Sequence, residues 1–275
     1  MPLMTLKHIF VALIVSPLAI PTFAAITPLK TGIDIKELTK VDVNGVKIEN
    51  FAGEVTIRSI GTGTTVKVGL KGTNDILKEV LVQDTYGKDK KTLYVAFEKV
   101  APVLKDLSQL KLVVEMPSKM PLDLSLVGGS ATVGPRESND TKVNINGFGT
   151  IKLASVKNLQ STIDGSGEIT VAHVNGDVTI LNRGGNYVIQ RGSISHLKAT
   201  IQGTSDVDIK ASVKDAALKS EGAGTMNLAT VTGKLSQSMS GAGTINIAKI
   251  SGSVTNQVQG SGQFDMDCAK IDLKN

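Results

Sequence analysis

The residues able to do chemistry are few, and they are far apart in the sequence. Beyond the first 24 residues the chain has two histidines, His173 and His196, and one cysteine, Cys268. Two pairs of acids stand out, Asp206 with Asp208 and Asp265 with Asp267. Cleavage of a glycosidic bond needs two carboxyl groups within about 9.5 Å of each other. A Ser-His-Asp relay or a histidine metal site needs its side chains equally close.

A repeated phrase in the second half of the chain decides how these residues are positioned. Gly222-Ala-Gly224 and Gly241-Ala-Gly243 each begin the same eight-residue pattern, and related copies precede and follow them. We call the third residue of each copy its corner mark. The marks are Gly149, Gly167, Gly185, Ser205, Gly224, Gly243 and Gly262, and successive marks are 18, 18, 20, 19, 19 and 19 positions apart. A period of this size is typical of a repeat architecture that stacks one unit on the next.

Each repeat also shows which of its residues face inward. The positions two and four residues after each third residue are apolar, and the position between them is mostly polar. This alternation predicts a short strand with one buried face. The inward residues are expected to be Ile151, Ile169, Tyr187, Val207, Met226, Ile245 and Phe264, then Leu153, Val171, Ile189, Ile209, Leu228, Ile247 and Met266. The fold class is therefore all-β, a single-stranded β-solenoid with one 18–20-residue turn per unit, about 4.8 Å apart.

The glycines of the repeat are typical of tight corners, where a side chain would clash or a positive φ is needed. The predicted structural corners are Gly147, Gly149, Gly165, Gly167, Gly185, Gly222, Gly224, Gly241, Gly243, Gly260 and Gly262. A nucleotide-phosphate loop is disfavoured because no helix and no Lys-Ser/Thr pair follows the glycines.

This fold separates the candidate catalytic groups. The two acid pairs fall three turns apart, about 14 Å at strand spacing, which is too far for acid/base pairing. His173 and His196 follow their marks by six and eleven residues, so they do not share a column and are interpreted as solvated turn residues. We therefore expect no catalytic residues, no cofactor and no metal. A carbohydrate-processing β-helix enzyme stays as the alternative function.

One outward column of the repeat has two possible uses, structural support of the solenoid and ligand binding. Asp208, Asn227, Asn246 and Asp265 occupy the same position in four consecutive turns and should form a surface ladder. Stacked amides bond to one another along the axis, which is a structural use, and contact with carbohydrate is the binding use. An ice-binding solenoid is a minor alternative, because acids such as Glu168 and Asp206 interrupt the Thr/Asn grid.

The rest of the chain supports an exported protein. Residues 1–24 are predicted to be a signal peptide, 25–40 a leader segment, 41–127 an irregular N-terminal β part of the solenoid, and 128–275 the regular solenoid turns. A net charge of +5 with no basic run among aromatics disfavours nucleic acid. Residues 76–84 and 92–98 are predicted to be the two strands of a hairpin, and the lysines at its tip, Lys88, Lys90 and Lys91, could bind anionic lipid or polysaccharide. A single cysteine forms no internal disulfide.

Several of these features together resemble a known group. Glycine-punctuated strands, Met116-Pro117, Leu122-Asp-Leu124 and the repeated Gly-x-Gly-x-Ile units are similar to the putative auto-transporter adhesin, head GIN domain family of bacterial envelope proteins. The resemblance covers residues 40–267. It implies a β-helical fold and a periplasmic, cell-surface or secreted location, with no catalytic residues to transfer. The expected function is a non-enzymatic binding or structural module whose partner is a glycan or protein ligand in the envelope or outside the cell.

The solenoid end is a further expected contact. The last turn, from Gly260 onward, has no turn above it, and open solenoid ends expose strand edges. We expect either the tail 270–275 or a second copy of the chain to cover this end. After signal cleavage no transmembrane span is expected.

Export gives the first testable prediction. Lys7, the apolar run 9–20 and the small-x-small site Thr22-Phe-Ala24 predict cleavage after Ala24, with Ala25 as a neighbouring option. Mass spectrometry of the protein purified from its native host should find an N-terminus near Ala25. A cytosolic protein that begins at Met1 would contradict it.

Overall fold

The chain is described by a computed structural model over residues 33–86, 91–97 and 109–268. The signal segment, Lys88 and Lys90 of the hairpin tip, and the tail 270–275 lie outside these residues, so the predictions made for them stay predictions.

The described chain winds into a β-solenoid of about eight turns, as the repeat predicts. Each regular turn gives one strand to each of two faces. Face A holds the strand that follows a Gly-x-Gly corner, and face B holds the strand that leads into the next corner. Within each face, strands of successive turns pair in parallel, for example Met226 with Ile245 and Leu235 with Val254.

The strands divide by how they run around the solenoid. Long strands bend from one face to the other: β2 (Gly45–Ile60), β7 (Leu122–Val133), β11 (Glu168–Asn182), β13 (Gly192–Gly203) and β14 (Asp206–Gly222). Short strands on face A are β6 (Lys111–Pro117), β9 (Thr150–Val156), β12 (Asn186–Ile189), β15 (Thr225–Val231), β17 (Thr244–Ile250) and β19 (Gln263–Cys268). Short strands on face B are β5 (Thr92–Phe97), β8 (Thr141–Gly147), β10 (Leu159–Gly165), β16 (Leu235–Gly241) and β18 (Val254–Gln259).

The core is a set of columns between the two faces. Of the fourteen inward residues predicted from the repeat, the twelve from Ile151 to Ile247 are at most 2% exposed. The other two, Phe264 and Met266, are only partly buried against the core. The alternation therefore predicts the buried face correctly wherever another turn lies above it.

The two glycines of a corner do different work. The first one has a positive φ, 130° at Gly241, which only glycine adopts without strain. The second one, Gly243, has an ordinary φ, but a β-carbon there would lie 2.6 Å from the Ser220 Oγ and 2.8 Å from the Gly224 carbonyl oxygen. The first glycine thus turns the chain, and the second lets the neighbouring turn approach.

Ser205 is the one non-glycine among the seven marks, and its turn is rebuilt around it. The buried Ser205 hydroxyl donates to the Asn182 carbonyl oxygen at 3.0 Å. The Asn182 side chain donates to the Gly185 carbonyl oxygen at 2.8 Å and accepts from the Gly185 N–H at 3.0 Å. A polar pair therefore replaces the usual glycine and apolar residue, with the polar groups satisfied.

The N-terminal end of the solenoid is closed by antiparallel elements. β3 (Thr65–Thr73) pairs with β6 and with β1 (Ile33–Asp42), and β4 (Val80–Tyr86) pairs with β5. Between β3 and β4 the five-residue helix α1 (Asn74–Lys78) buries Ile76 and Leu77. The sequence predicted a strand across Ile76–Leu77, and this prediction is wrong. Consecutive residues of a strand point to opposite faces, whereas Ile76 and Leu77 are both buried on one helical turn.

Parallel stacking extends through the irregular N-terminal β part of the solenoid. β1 lies partly in the stretch 25–40, which was expected to be a leader. β2 already pairs in parallel with β7, and Gly53 stacks directly under Gly129. The expected boundary between residues 127 and 128 falls inside β7.

The corner geometry predicts a stability difference between two glycines. Gly243→Val should lower the free energy of unfolding by about 1–3 kcal/mol, because its β-carbon overlaps the turn below. Gly61→Val is the matched control, since no atom lies within 4 Å of a β-carbon there. Urea unfolding followed by circular dichroism measures both. Equal midpoints for Gly243→Val and the wild type would show that the corner is not tight.

Candidate functional site

A groove of about 520 Å³ runs along the edge where face A passes into face B. Its polar rim comes from residues at 19-residue intervals in five successive turns: Asp177, His196, Asp215, Lys234 and Ser253. Behind the rim lie the buried first residues of the face B strands, including Val178, Leu197 and Leu235. Thr179, Lys198, Ala217, Ser236 and Thr255 form the other side. The groove thus combines charged groups, hydroxyls and an apolar floor.

His196 lies at the centre of the rim between two carboxylates. Its Nδ1 is 2.8 Å from Asp177 Oδ1, and its Nε2 is 3.9 Å from Asp215 Oδ2. A bulge places it there, because Ser195 and His196 together face the single residue Asp177 between the register pairs on either side. Bulges redirect side chains in this way. His196 is solvated, as interpreted, since its side chain is 68% exposed, but it lies in β13 and not in a turn, and it bonds to Asp177.

Backbone bonds from the adjacent turns fix the carboxylates and amides of this edge. Asn158 Oδ1 accepts the Asp177 N–H at 2.9 Å, and Asp215 Oδ1 accepts the Lys234 N–H at 2.7 Å. A β-carbon at Gly176 or Gly233 would collide with these same accepting oxygens. Gly176 and Gly233 therefore leave room for the Asn158 and Asp215 side chains to accept a backbone hydrogen bond from the next turn.

The arrangement around His196 differs from a Ser-His-Asp relay. In a Ser-His-Asp relay the second ring nitrogen faces a nucleophile, whereas both nitrogens of His196 face carboxylates. Nor do the described residues contain a group of three His, Cys, Asp or Glu side chains that could hold a metal ion. His173 lies in β11, and its register partner is Ser155, so the two histidines occupy different columns.

A second polar cluster lies on face B near the N-terminal end. The Tyr94 hydroxyl donates to Glu49 Oε2 at 2.6 Å, and this bond holds the pKa of the Glu49 carboxyl below its usual value. Lys47 Nζ lies 3.2 Å from the same oxygen. On the neighbouring strand, Asp123 stands opposite Lys47, and burial raises the pKa of its carboxyl against the opposing effect of Lys47 and Lys142. The pKa values of the Glu49 and Asp123 carboxyl groups are therefore shifted in opposite directions.

The predicted ladder occupies a single column of face A. Asp208 pairs in register with Asn227, Asn227 with Asn246, and Asn246 with Asp265. Asn246 Nδ2 donates to Asn227 Oδ1 at 2.9 Å, so the two central amides bond along the axis. Lys210 Nζ lies 3.5 Å from Asp208 Oδ2. Three register steps separate the acids Asp208 and Asp265.

Sequence reasoning missed the groove, although part of its signal was present. Gly176, Gly233 and Gly252 each follow a corner mark by nine residues, which points to a second corner in each turn. Asp177, Lys234 and Ser253 are the residues directly after them. His196 has no such signal, because its turn is one residue longer.

The described chain has one helix, α1, and no helix in that part is long and apolar enough to cross a membrane.

Solved structures of other proteins share this fold. A putative adhesin from Parabacteroides distasonis ATCC 8503 superposes with a TM-score of 0.61 at 15% identity, over 86% of this chain and 97% of that one. A putative adhesin from Bacteroides fragilis NCTC 9343 gives 0.55 at 15% identity, over 89% and 100%. A putative lipid binding protein, also from Parabacteroides distasonis ATCC 8503, gives 0.63 at 12% identity, over 86% and 98%. At these identities the likeness concerns the fold alone.

Sequence comparison gives the family directly. No curated protein matches the chain. The family model of the putative auto-transporter adhesin, head GIN domain, matches residues 44–248, which span β2 to β17 apart from the last residues of that strand and include the groove rim as far as Lys234. The chain therefore belongs to the putative auto-transporter adhesin, head GIN domain family.

Proposed function

We propose that this protein is an exported, non-enzymatic adhesin-like module that binds a glycan chain along the edge groove. The observation that carries the proposal is the groove itself, which spans five turns and places carboxylates, ammonium groups and hydroxyls beside an apolar floor. A sugar ring has the matching chemistry, since its hydroxyls both donate and accept hydrogen bonds and its C–H faces pack on apolar surface. Family membership supports a surface or exported setting.

The groove's chemistry favours a glycan over a lipid chain or a polyanion. A lipid chain would have to desolvate Asp177, His196 and Asp215, which is costly. A polyanion such as nucleic acid would meet two carboxylates on the rim. A linear, hydroxyl-rich polymer meets neither cost and can extend over several turns.

The ladder on face A is proposed as a structural brace. Asn246 Nδ2 donates to Asn227 Oδ1 along the axis, and Asp208 is paired with Lys210. These contacts link neighbouring side chains of face A to one another.

Glycan binding is tested by filling the groove. Mature protein is screened on an array of bacterial capsular and host mucin-type oligosaccharides, and the strongest hit is titrated by calorimetry. Ala217→Arg places a large side chain in the groove from an exposed position, and we expect it to weaken binding at least about tenfold, the loss of roughly 1.4 kcal/mol.

The double variant Asn227→Ala/Asn246→Ala is the matched control on the ladder. It should bind within about twofold of the wild type. Loss of binding in this variant with normal binding in Ala217→Arg would move the site to the ladder. An array without any hit, or a hit that Ala217→Arg leaves unchanged, would overturn the groove proposal.

A carbohydrate-cleaving enzyme is the second candidate, and the Glu49–Asp123 cluster favours it. Acid/base hydrolysis uses one ionised and one protonated carboxyl, and pKa values shifted in opposite directions are the usual sign of that assignment. It ranks second because Lys47 pairs with Glu49 and because the described groove is lined by other residues.

The enzyme candidate makes a separate prediction. If it is correct, wild-type protein releases reducing ends from a polysaccharide bound on the array, and Glu49→Gln abolishes the release because the ionised carboxylate is lost. A colorimetric reducing-sugar assay measures both proteins. No release above buffer by the wild type would remove this candidate and leave the binding proposal intact.

A further inference from the structure

The positive charge of the edge groove comes from two lysines on either side of a short side chain. Lys198 pairs in register with Ala217, and Ala217 pairs with Ser236 of the following turn. Lys234 lies two residues before Ser236, and the residue between them is buried, so both point outward. All four residues are exposed and line the groove. The short side chain of Ala217 therefore leaves space in the groove between the two lysines.

Within the part of the chain that the structure describes, neither Lys198 nor Lys234 forms an ion pair. The acid closest to Ala217 along its strand is Asp215, and its oxygens are directed elsewhere. Asp215 Oδ1 accepts the Lys234 N–H at 2.7 Å, and Oδ2 lies 3.9 Å from His196 Nε2. The two ammonium groups are therefore available to an anionic group of a ligand.

A glycan that fills the groove has to take water away from these ammonium groups. A neutral sugar would do so without supplying a counter-charge, and uncompensated desolvation of a charge costs free energy. A sugar carboxylate between the lysines would form charge-assisted hydrogen bonds with them and offset that cost. This part of the groove therefore discriminates between an acidic sugar and its neutral analogue.

The acids of the groove limit how many charges the ligand can carry. Asp177 and Asp215 both face His196, with Asp177 Oδ1 2.8 Å from its Nδ1. A polymer with an acid on every unit would bring some of its acids beside these carboxylates, and like charges in contact oppose binding. The groove therefore fits a chain in which neutral sugars separate the acidic ones.

We propose that the ligand of the edge groove is an acidic glycan in which neutral sugars separate the carboxylate-bearing ones, with one carboxylate held between Lys198 and Lys234. This inference rests on the proposed function, because it names the class of glycan that the same groove binds. Lys198 and Lys234 are the two lysines among the described residues that line the groove. The carboxylate therefore fixes where along the five turns the chain lies.

Paired ligands test the proposal with the intact mature protein. Oligosaccharides of hyaluronan, unsulfated chondroitin and heparosan each alternate a uronic acid with a neutral N-acetylated sugar. Carboxyl reduction turns each one into a neutral chain of the same length and linkage. In calorimetric titrations at least one acidic form should bind, at least about fivefold more tightly than its reduced form, as two partly exposed ion pairs allow. Added salt should weaken binding of the acidic form and leave the reduced form nearly unchanged.

Two double variants locate the carboxylate. Lys198→Gln/Lys234→Gln removes both charges at exposed positions and keeps similar side-chain bulk, so it should fold normally and bind the two forms of a pair within about twofold of each other. Lys152→Gln/Lys249→Gln is the matched control, because it removes the same charge from exposed lysines of face A strands. The control should keep the preference for the acidic form.

The outcomes separate this inference from the proposed function. An acidic form that binds no better than its reduced form overturns the inference and leaves glycan binding in place. The same holds if the three acidic forms do not bind and neutral oligosaccharides on the array do. A preference that Lys198→Gln/Lys234→Gln retains also overturns it, because the carboxylate then lies elsewhere. If no oligosaccharide of either kind binds, the proposed function fails together with the inference.

Discussion

At every Gly-x-Gly corner the backbone of one turn touches the backbone of the next. A β-carbon on the second glycine of the corner would lie within 3.0 Å of atoms in the turn below at Gly149, Gly167, Gly185, Gly224, Gly243 and Gly262. Because the corners stack this closely, the strands between them keep parallel register over the whole array. Parallel register in turn makes each outward position a column along the axis. The groove rim and the amide ladder are two such columns. Both surfaces therefore depend on the backbone contacts at the glycine corners, which involve none of the rim or ladder side chains.

Two large side chains break the aliphatic pattern of the interior, and each has a hydrogen-bond partner. Tyr187 is larger than the aliphatic residues of its column, and the small Ser161 lies across from it and donates to its hydroxyl at 2.9 Å. Complete burial raises the pKa of that Tyr187 hydroxyl. Arg136 stacks in register beneath Val156, and burial lowers the pKa of its guanidinium to about 10. Its guanidinium donates to the Met120 carbonyl oxygen, which ties the loop before β7 to the core.

The sequence predicts the features that obey the period and misses those that break it. Alternation at Ile245 and Ile247 identifies the buried face, since each apolar residue repeats in the turns on either side. The groove is different, because the bulge at Ser195 and His196 brings His196 beside Asp177, and nothing in a sequence marks which residue of a longer turn is the extra one. The helix α1 was missed for a related reason. Ile76 and Leu77 are a short apolar run, which periodicity alone does not assign to strand or helix.

The groove's chemistry changes from turn to turn, and this separates it from surfaces that recognise a lattice. An ice-binding face repeats one residue type at every step. The rim here reads carboxylate, imidazole, carboxylate, ammonium and hydroxyl from Asp177 to Ser253. A polymer whose units differ therefore gains its full set of contacts in only one register and one direction. In the proposed function the regular solenoid supplies the spacing and the irregular rim supplies the selectivity, so a glycan held here would be recognised by its sequence of functional groups and not by its repeat length alone.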